Sequence, residues 1–178
     1  MKRIPVMRGY LFPTAIGQCA ITWSDTGVRS LRLPESSTER TLLLTGAEEN
    51  EPQPPDWVRT ATDRVARLLE GERDDLVDIP VDYTEVPEFA VAVYRATRAV
   101  VPGTTVSYGE IAGRVGEPGA AQAVGRALGN NPVTIIVPCH RVLASDGSMH
   151  GFSANGGVHT KRRMLTIEGA LEPALFEL

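Results

Sequence analysis

Apolar and polar positions alternate from Gly17 to Leu33. Cys19, Ile21 and Trp23 share one side, Asp25-Thr26-Gly27 breaks the run, and Val28, Leu31 and Leu33 return, which predicts a β-hairpin. The stretch from Pro34 to Pro55 is polar and proline-rich, with Glu48-Glu49-Asn50-Glu51 inside it, and predicts a loop with one weak helix. From Trp57 to Leu69 the period changes: Val58, Ala61, Val65, Leu68 and Leu69 fall on one helical face, with Asp56 as cap and Gly71 as stop. Ile79 and Val81 suggest one more strand. Thr84-Glu85-Val86-Pro87 then reads as a linker, dividing the chain into an α/β N-terminal domain (1-86, a small antiparallel sheet plus helix) and a mainly helical C-terminal domain (87-178).

In the second half the helical period dominates. Phe89, Val93, Ala96 and Val100 mark an amphipathic helix closed by Pro102-Gly103. Ser107-Tyr108-Gly109-Glu110 is a capping box, Ser107 at N-cap and Glu110 at N3, opening a short helix to about Arg114. Gly116 to Gly119 make a turn, and Ala120 to Leu128 form a second helix, so the pair is a helix-turn-helix candidate. That second helix carries Ala120, Ala121, Ala123, Gly125 and Ala127, with Gln122 and Arg126 as its long polar side chains. Small residues let a helix pack tightly in a core, or let it enter a narrow minor groove where shape rather than a base code is read.

Composition narrows the class. The chain has 178 residues, 42% hydrophobic and 22% charged, as expected of a globular protein of one domain or two small ones. No apolar run approaches the roughly 20 residues that cross a bilayer. Met1 to Val6 is too short in its apolar part for a secretory signal, and two cysteines make no disulfide framework, so a reducing cytoplasm is expected. The net charge is −4 and uneven: residues 1–87 hold 10 basic against 15 acidic side chains, residues 88–178 hold 8 against 7. A protein gripping DNA mainly through phosphates is normally more basic, so any DNA footprint is expected to be small.

The chemistry concentrates at Val137-Pro138-Cys139-His140-Arg141-Val142. The preceding run Val133, Ile135, Ile136, Val137 predicts a buried strand, and Pro138 ends it just where the thiol appears. A thiolate is a soft nucleophile once its pKa falls from about 8.5, and a base must take the proton. His140 is the adjacent candidate, although neighbours in an extended chain point to opposite sides. Near the C-terminus, Thr160 to Glu168 predicts a helix with Gly169 after it. A carboxylate in the last turn opposes the helix dipole by a few tenths to about 1 kcal/mol, so Glu168 is either solvated or held by a partner.

Val106-Ser107-Tyr108, Ala123-Val124-Gly125, Asn131-Pro132-Val133, Pro138-Cys139-His140-Arg141-Val142 and Lys161 to Gly169, in this order, resemble the O6-alkylguanine-DNA alkyltransferase family, the methylated-DNA–protein-cysteine methyltransferases. The resemblance is strongest from Phe89 to Gly169. It implies DNA repair: single-turnover transfer of an alkyl group from O6-alkylguanine, and by extension O4-alkylthymine, to Cys139, on double-stranded DNA bound through its minor groove with the base flipped out. No Gly-rich phosphate loop or other cofactor motif is seen, and the alkyl donor would be the DNA itself, so no cofactor is expected; a monomer is expected. His140 becomes the base, through a water, with Glu168 behind it. Asn131, also readable as a helix-stop residue before Pro132, holds the active-site backbone. Tyr108, also readable as a core aromatic, touches the phosphate beside the damaged nucleotide. Gln122, Ala123, Arg141, Val142, Phe152 and Ser153 complete the implied DNA and base contacts.

Two departures from the family pattern stand out. Gln122 occupies a position that is usually arginine, and glutamine neither carries charge nor stacks as a guanidinium does. The loop after Ser153 is longer than in the shorter form of the family. Other classes fit less well. A metal site needs three or four ligands, and the supply is Cys19, Cys139, His140, His150 and His159 with no Cys-x-x-Cys pair. A cysteine hydrolase would need an oxyanion hole and would turn over. A non-transferring alkylated-DNA sensor would lack the nucleophilic cysteine.

Overall fold

Four strands form the first layer: β1 (Arg8–Thr14), β2 (Gly17–Ser24), β3 (Gly27–Arg32) and β4 (Glu49–Asn50), in the order β3-β2-β1-β4. The computed structural model describes residues 6–149 and 155–173. The predicted hairpin is β2–β3, paired through Ile21↔Leu31 and Ala20↔Arg32. The sheet is mixed rather than antiparallel, because β4 runs parallel to β1 through Arg8↔Glu49 and Gly9↔Asn50. β1 escaped the sequence reading because Gly9 and Pro13 interrupt its pattern. Pro13 is tolerated because it lies beyond the two residues that pair with β4, where β1 is an edge.

The sheet buries both faces. Phe12 and Cys19, opposite each other in the register, join Ile21 and Leu31 against Val58, Ala61, Val65 and Leu68 of α2 (Asp56–Leu68). On the other face Ala20 packs with Leu42 of α1 (Thr38–Leu43) and with Ala47. Each large aliphatic side chain so buried contributes about 1.5–3 kcal/mol. α1 is the weak helix expected in the polar stretch, capped by Ser37, which accepts from the Arg40 N–H. Asp56 is the first residue of α2 rather than its cap; Pro55 precedes it without a side-chain cap. Ile79 and Val81 make no strand, only the single bridge Val28↔Val81.

The second half packs α3 (Glu88–Arg98), α4 (Tyr108–Arg114) and α5 (Ala121–Gly129) against one another. Ser107 and Glu110 close the capping box in both directions, at 3.0 and 2.6 Å. Gly116 and Gly119 take positive φ (81° and 96°) in the turn between α4 and α5, where a side chain would be strained. Two short parallel strands, β5 (Val106–Ser107) and β6 (Val142–Leu143), pair directly. They tie the start of α4 to the chain leaving Cys139. α6 (Gly157–Ile167) ends with Glu168 as its C-cap, and Gly169 follows at φ 78°.

The apolar run before Cys139 is a buried turn, not a strand. Ile135 has φ 74°, the Val137 N–H donates to the Val133 carbonyl at 2.9 Å, and the run makes only the single bridges Leu31↔Val133 and Thr134↔Val137. Its side chains are nonetheless at most 1% exposed, which is why composition alone suggested a core strand. One cluster of buried side chains continues from Phe12 and Val65 through Val93 and Ile111 to Ile136 and Cys139. The Leu31 N–H donates to the Pro132 carbonyl at 2.9 Å, so β3 holds the turn from behind.

Candidate active site

Cys139 opens a single 3-10 turn, Cys139–Arg141, immediately after Pro138. His140 and Cys139 are therefore neighbours on a tight turn, not on opposite sides of a strand. Asn131 makes the turn possible. Its Nδ2 donates to the Val137 carbonyl at 2.9 Å and its Oδ1 accepts from the Val133 N–H at 3.0 Å, stapling both ends of the run. Asn131 also follows the end of α5, whose C-cap is Asn130.

Behind the thiol lies a buried charged row. Glu168 has a partner: Arg141 donates to it twice, Nε to Oε2 at 2.9 Å and Nη2 to Oε1 at 2.8 Å, and His140 lies 2.8 Å away through Nε2. Arg141 Nη1 donates to the Val100 carbonyl at 2.7 Å. Burial alone would raise the Glu168 carboxyl, but the Arg141 bonds and His140 outweigh it and hold it at about 2. An ionised carboxylate only accepts, so Nε2 of His140 carries the proton and donates. Burial lowers the His140 pKa despite the attraction of Glu168, with Arg141 and Lys161 adding to the depression, so the imidazole is neutral near pH 7. The other ring nitrogen, Nδ1, is then an acceptor. It is buried and has no partner among the described residues.

Cys139 itself is 9% exposed. Burial pushes its thiol up; the Asn131 amide, the Lys161 charge and the backbone N–H groups of Cys139 and His140 pull the other way. At rest the sulfur is protonated and inert, and reaction requires a base. Lys161 was not assigned a role from sequence. Its Nζ donates to the Val142 carbonyl at 2.8 Å and stands 6.0 Å from the centre of the Tyr108 ring, while its stem is fully buried. The signal was present: Lys161, Met164, Leu165 and Glu168 share the inward stripe of one helix.

Tyr108, whose phenol lies near Cys139, lines an open cleft of ≈ 720 Å³ with Gly109, Ala121, Gln122, Gly125, Arg126, Ala144 and Ser145. A Cβ on Gly125 would lie 3.9 Å from the Tyr108 ring, so this glycine brings the backbone of α5 close to the tyrosine. Burial and the nearby Cys139 raise the Tyr108 phenol. Of the expected contact residues, Tyr108 and Gln122 line the cleft. Ala123 lies on the far side of α5, in a second cleft with Phe89 and Ala127. Arg141 and Val142 correct the sequence reading: they are 1% and 0% exposed, turned into the core, so neither side chain reaches a ligand on the surface. Phe152 and Ser153 lie outside the described residues, as does His150.

A buried cysteine followed on the same turn by a neutral imidazole, with Tyr108 between it and an open cleft, fits a cysteine-dependent group-transfer protein. Residues 88–170 match the family described as 6-O-methylguanine DNA methyltransferase, DNA binding domain. A methylated-DNA–protein-cysteine methyltransferase of Mycolicibacterium paratuberculosis is 36% identical over 163 residues, 92% of this chain and 93% of that protein. The crystal structure of the Mycobacterium tuberculosis O6-methylguanine methyltransferase superposes with a TM-score of 0.74 at 30% identity, covering 94% of this chain and 96% of that one. The structure of Mycobacterium tuberculosis OGT in complex with DNA superposes with a TM-score of 0.71 at 31% identity, covering 94% of this chain and 96% of that one. The chain belongs to the methylated-DNA–protein-cysteine methyltransferase family.

Proposed function

We propose that this protein repairs DNA by moving the alkyl group of O6-alkylguanine onto Cys139, once per chain. The observation that carries the assignment is the row Glu168–His140, directly after Cys139 on the same turn, with Nδ1 buried and without a partner among the described residues. One water bridges Nδ1 and the Cys139 sulfur and passes the thiol proton to the imidazole. The thiolate then attacks the alkyl carbon: the S–C bond forms, the C–O6 bond breaks, and its electron pair leaves on the purine. Guanine regains a proton at N1, which balances the one taken from the thiol. The product is a thioether that no group in the site hydrolyses.

Presentation of the base falls to the cleft. In this reading α4 and α5 form a helix-turn-helix whose small-residue helix enters the minor groove of double-stranded DNA. Tyr108 meets the phosphate beside the damaged nucleotide, and Gln122 stands in the gap that nucleotide leaves. Extrusion costs a few kcal/mol and is cheaper for a damaged pair, which favours lesions. Phe152 and Ser153 hold the flipped base. Residues 1-86 are structural, buttressing the active turn through Leu31, while 87-178 bind DNA and accept the alkyl group. The protein works as a monomer in the cytoplasm, where its two free cysteines stay reduced.

The test is stoichiometry. With excess duplex containing O6-methylguanine, repaired guanine is expected to plateau at one per protein chain. Continued turnover would instead favour a hydrolase, and stable binding without repair a sensor.

A further inference from the structure

Arg126 is the one charged side chain among the residues that line the cleft at Tyr108. It stands one turn after Gln122 on α5, and both are exposed. It also borders the second cleft across the helix, so its side chain stands on the ridge between the two. In the N-terminal half, Arg8, Arg29, Arg40, Arg64 and Arg67 each face an acidic side chain. Arg126 faces none among the described residues. Glu85, the acid bordering the second cleft, is engaged by Arg29 at 3.3 Å. An unpaired guanidinium on a helix ridge, in a chain of net charge −4, is a cation placed for an external anion.

We propose that Arg126 binds a backbone phosphate of the DNA and sets how tightly the cleft grips the duplex. This rests on the reading that the cleft receives DNA. The position on a ridge favours a phosphate over a base edge, because a ridge residue meets the wall of a groove and not its floor. No other side chain of α5 is charged, so this arginine carries most of the helix's electrostatic contribution. Gln122, one turn earlier and uncharged, supplies hydrogen bonds but releases no counterion. The arginine therefore acts on binding and positioning, not on the chemistry at sulfur.

The experiment is a salt titration of binding to unmodified duplex, made with Cys139→Ser protein carrying Arg126, Arg126→Gln or Arg126→Lys. Loss of one phosphate contact is expected to reduce the slope of log K against log salt by about 0.9 for Gln. Affinity at low salt is expected to fall about tenfold, the size of a charged hydrogen bond, while Lys retains the slope. An unchanged slope for Gln, with or without a loss of affinity, would overturn the phosphate assignment. The same substitutions in protein with Cys139 intact separate this from the function itself. Failure of methyl transfer by the unsubstituted protein, with the slope change still present, would remove the repair reading and leave the contact standing.

Discussion

Behind Cys139, Glu168 receives three hydrogen bonds from two fully buried side chains; in the cleft lined by Tyr108, Gln122 and Arg126 stand exposed on α5, whose other side chains are apolar. The two regions differ in how their chemistry is held. In the buried row each charge exists only because its partner does, since an ionised group out of water costs several kcal/mol unless it is matched. The row is therefore rigid, and its protonation states are set by burial. In the cleft, solvent carries the charges and the residues are interchangeable in stability terms. On the proposed reading, DNA affinity is set in the cleft, while the transfer step belongs to the buried row.

The largest effect is expected from Glu168→Gln. Arg141 would lose its anion and His140 the acceptor that fixes its tautomer, so unfolding stability should fall by about 3–5 kcal/mol and single-turnover transfer by about a hundredfold or more. Urea denaturation and quenched-flow repair measure the two. The pH dependence has a defined sign. Because the folded Glu168 is held at about 2, it contributes stability that is complete above the ordinary carboxylate range and is lost as pH falls through that interval. The Gln variant should lack this acid limb; an identical limb in both proteins would mean that the row is not ionised.

Arg141→Lys should do less, because a point charge keeps the attraction but loses the two-pronged bond. A stability loss of about 1.5–3 kcal/mol is expected, with the salt dependence of DNA binding unchanged. A shallower salt slope would show that this side chain reaches DNA after all and would break the contrast between the two regions. Gln122→Arg is the smallest change: no stability effect and duplex repair faster by about tenfold at most. No gain with duplex substrate would mean that Gln122 does not limit base presentation.

The local signals were legible where a short-range rule fixes the geometry. The Ser107–Glu110 capping box, the faces of α2 and α3, the β2–β3 hairpin and the place of Glu168 at the end of α6 all follow from spacing alone. What was not legible depends on distant partners. The run before Cys139 turns because Asn131 staples it and β3 backs it, and apolar composition carries no trace of either. Arg141 read as a ligand-facing cation because sequence does not say that Glu168, 27 residues on, turns it inward. Lys161 hid for the converse reason: a lysine on an apolar stripe reads as a break in the pattern until Val142 and Tyr108 are seen beside it.

Both cysteines of the chain are buried and reduced, yet their surroundings give them opposite fates. Cys19 sits in the sheet, its thiol pushed up to about 12 by burial with only a weak bond to Thr14 opposing. Cys139 has Asn131, Lys161 and the neutral His140. Peptide mapping by mass spectrometry after reaction with O6-methylguanine duplex decides between them. One methyl group on the peptide containing Cys139, with Cys19 unmodified, is the predicted result; a methyl on Cys19, or none on either after the guanine is repaired, would contradict it.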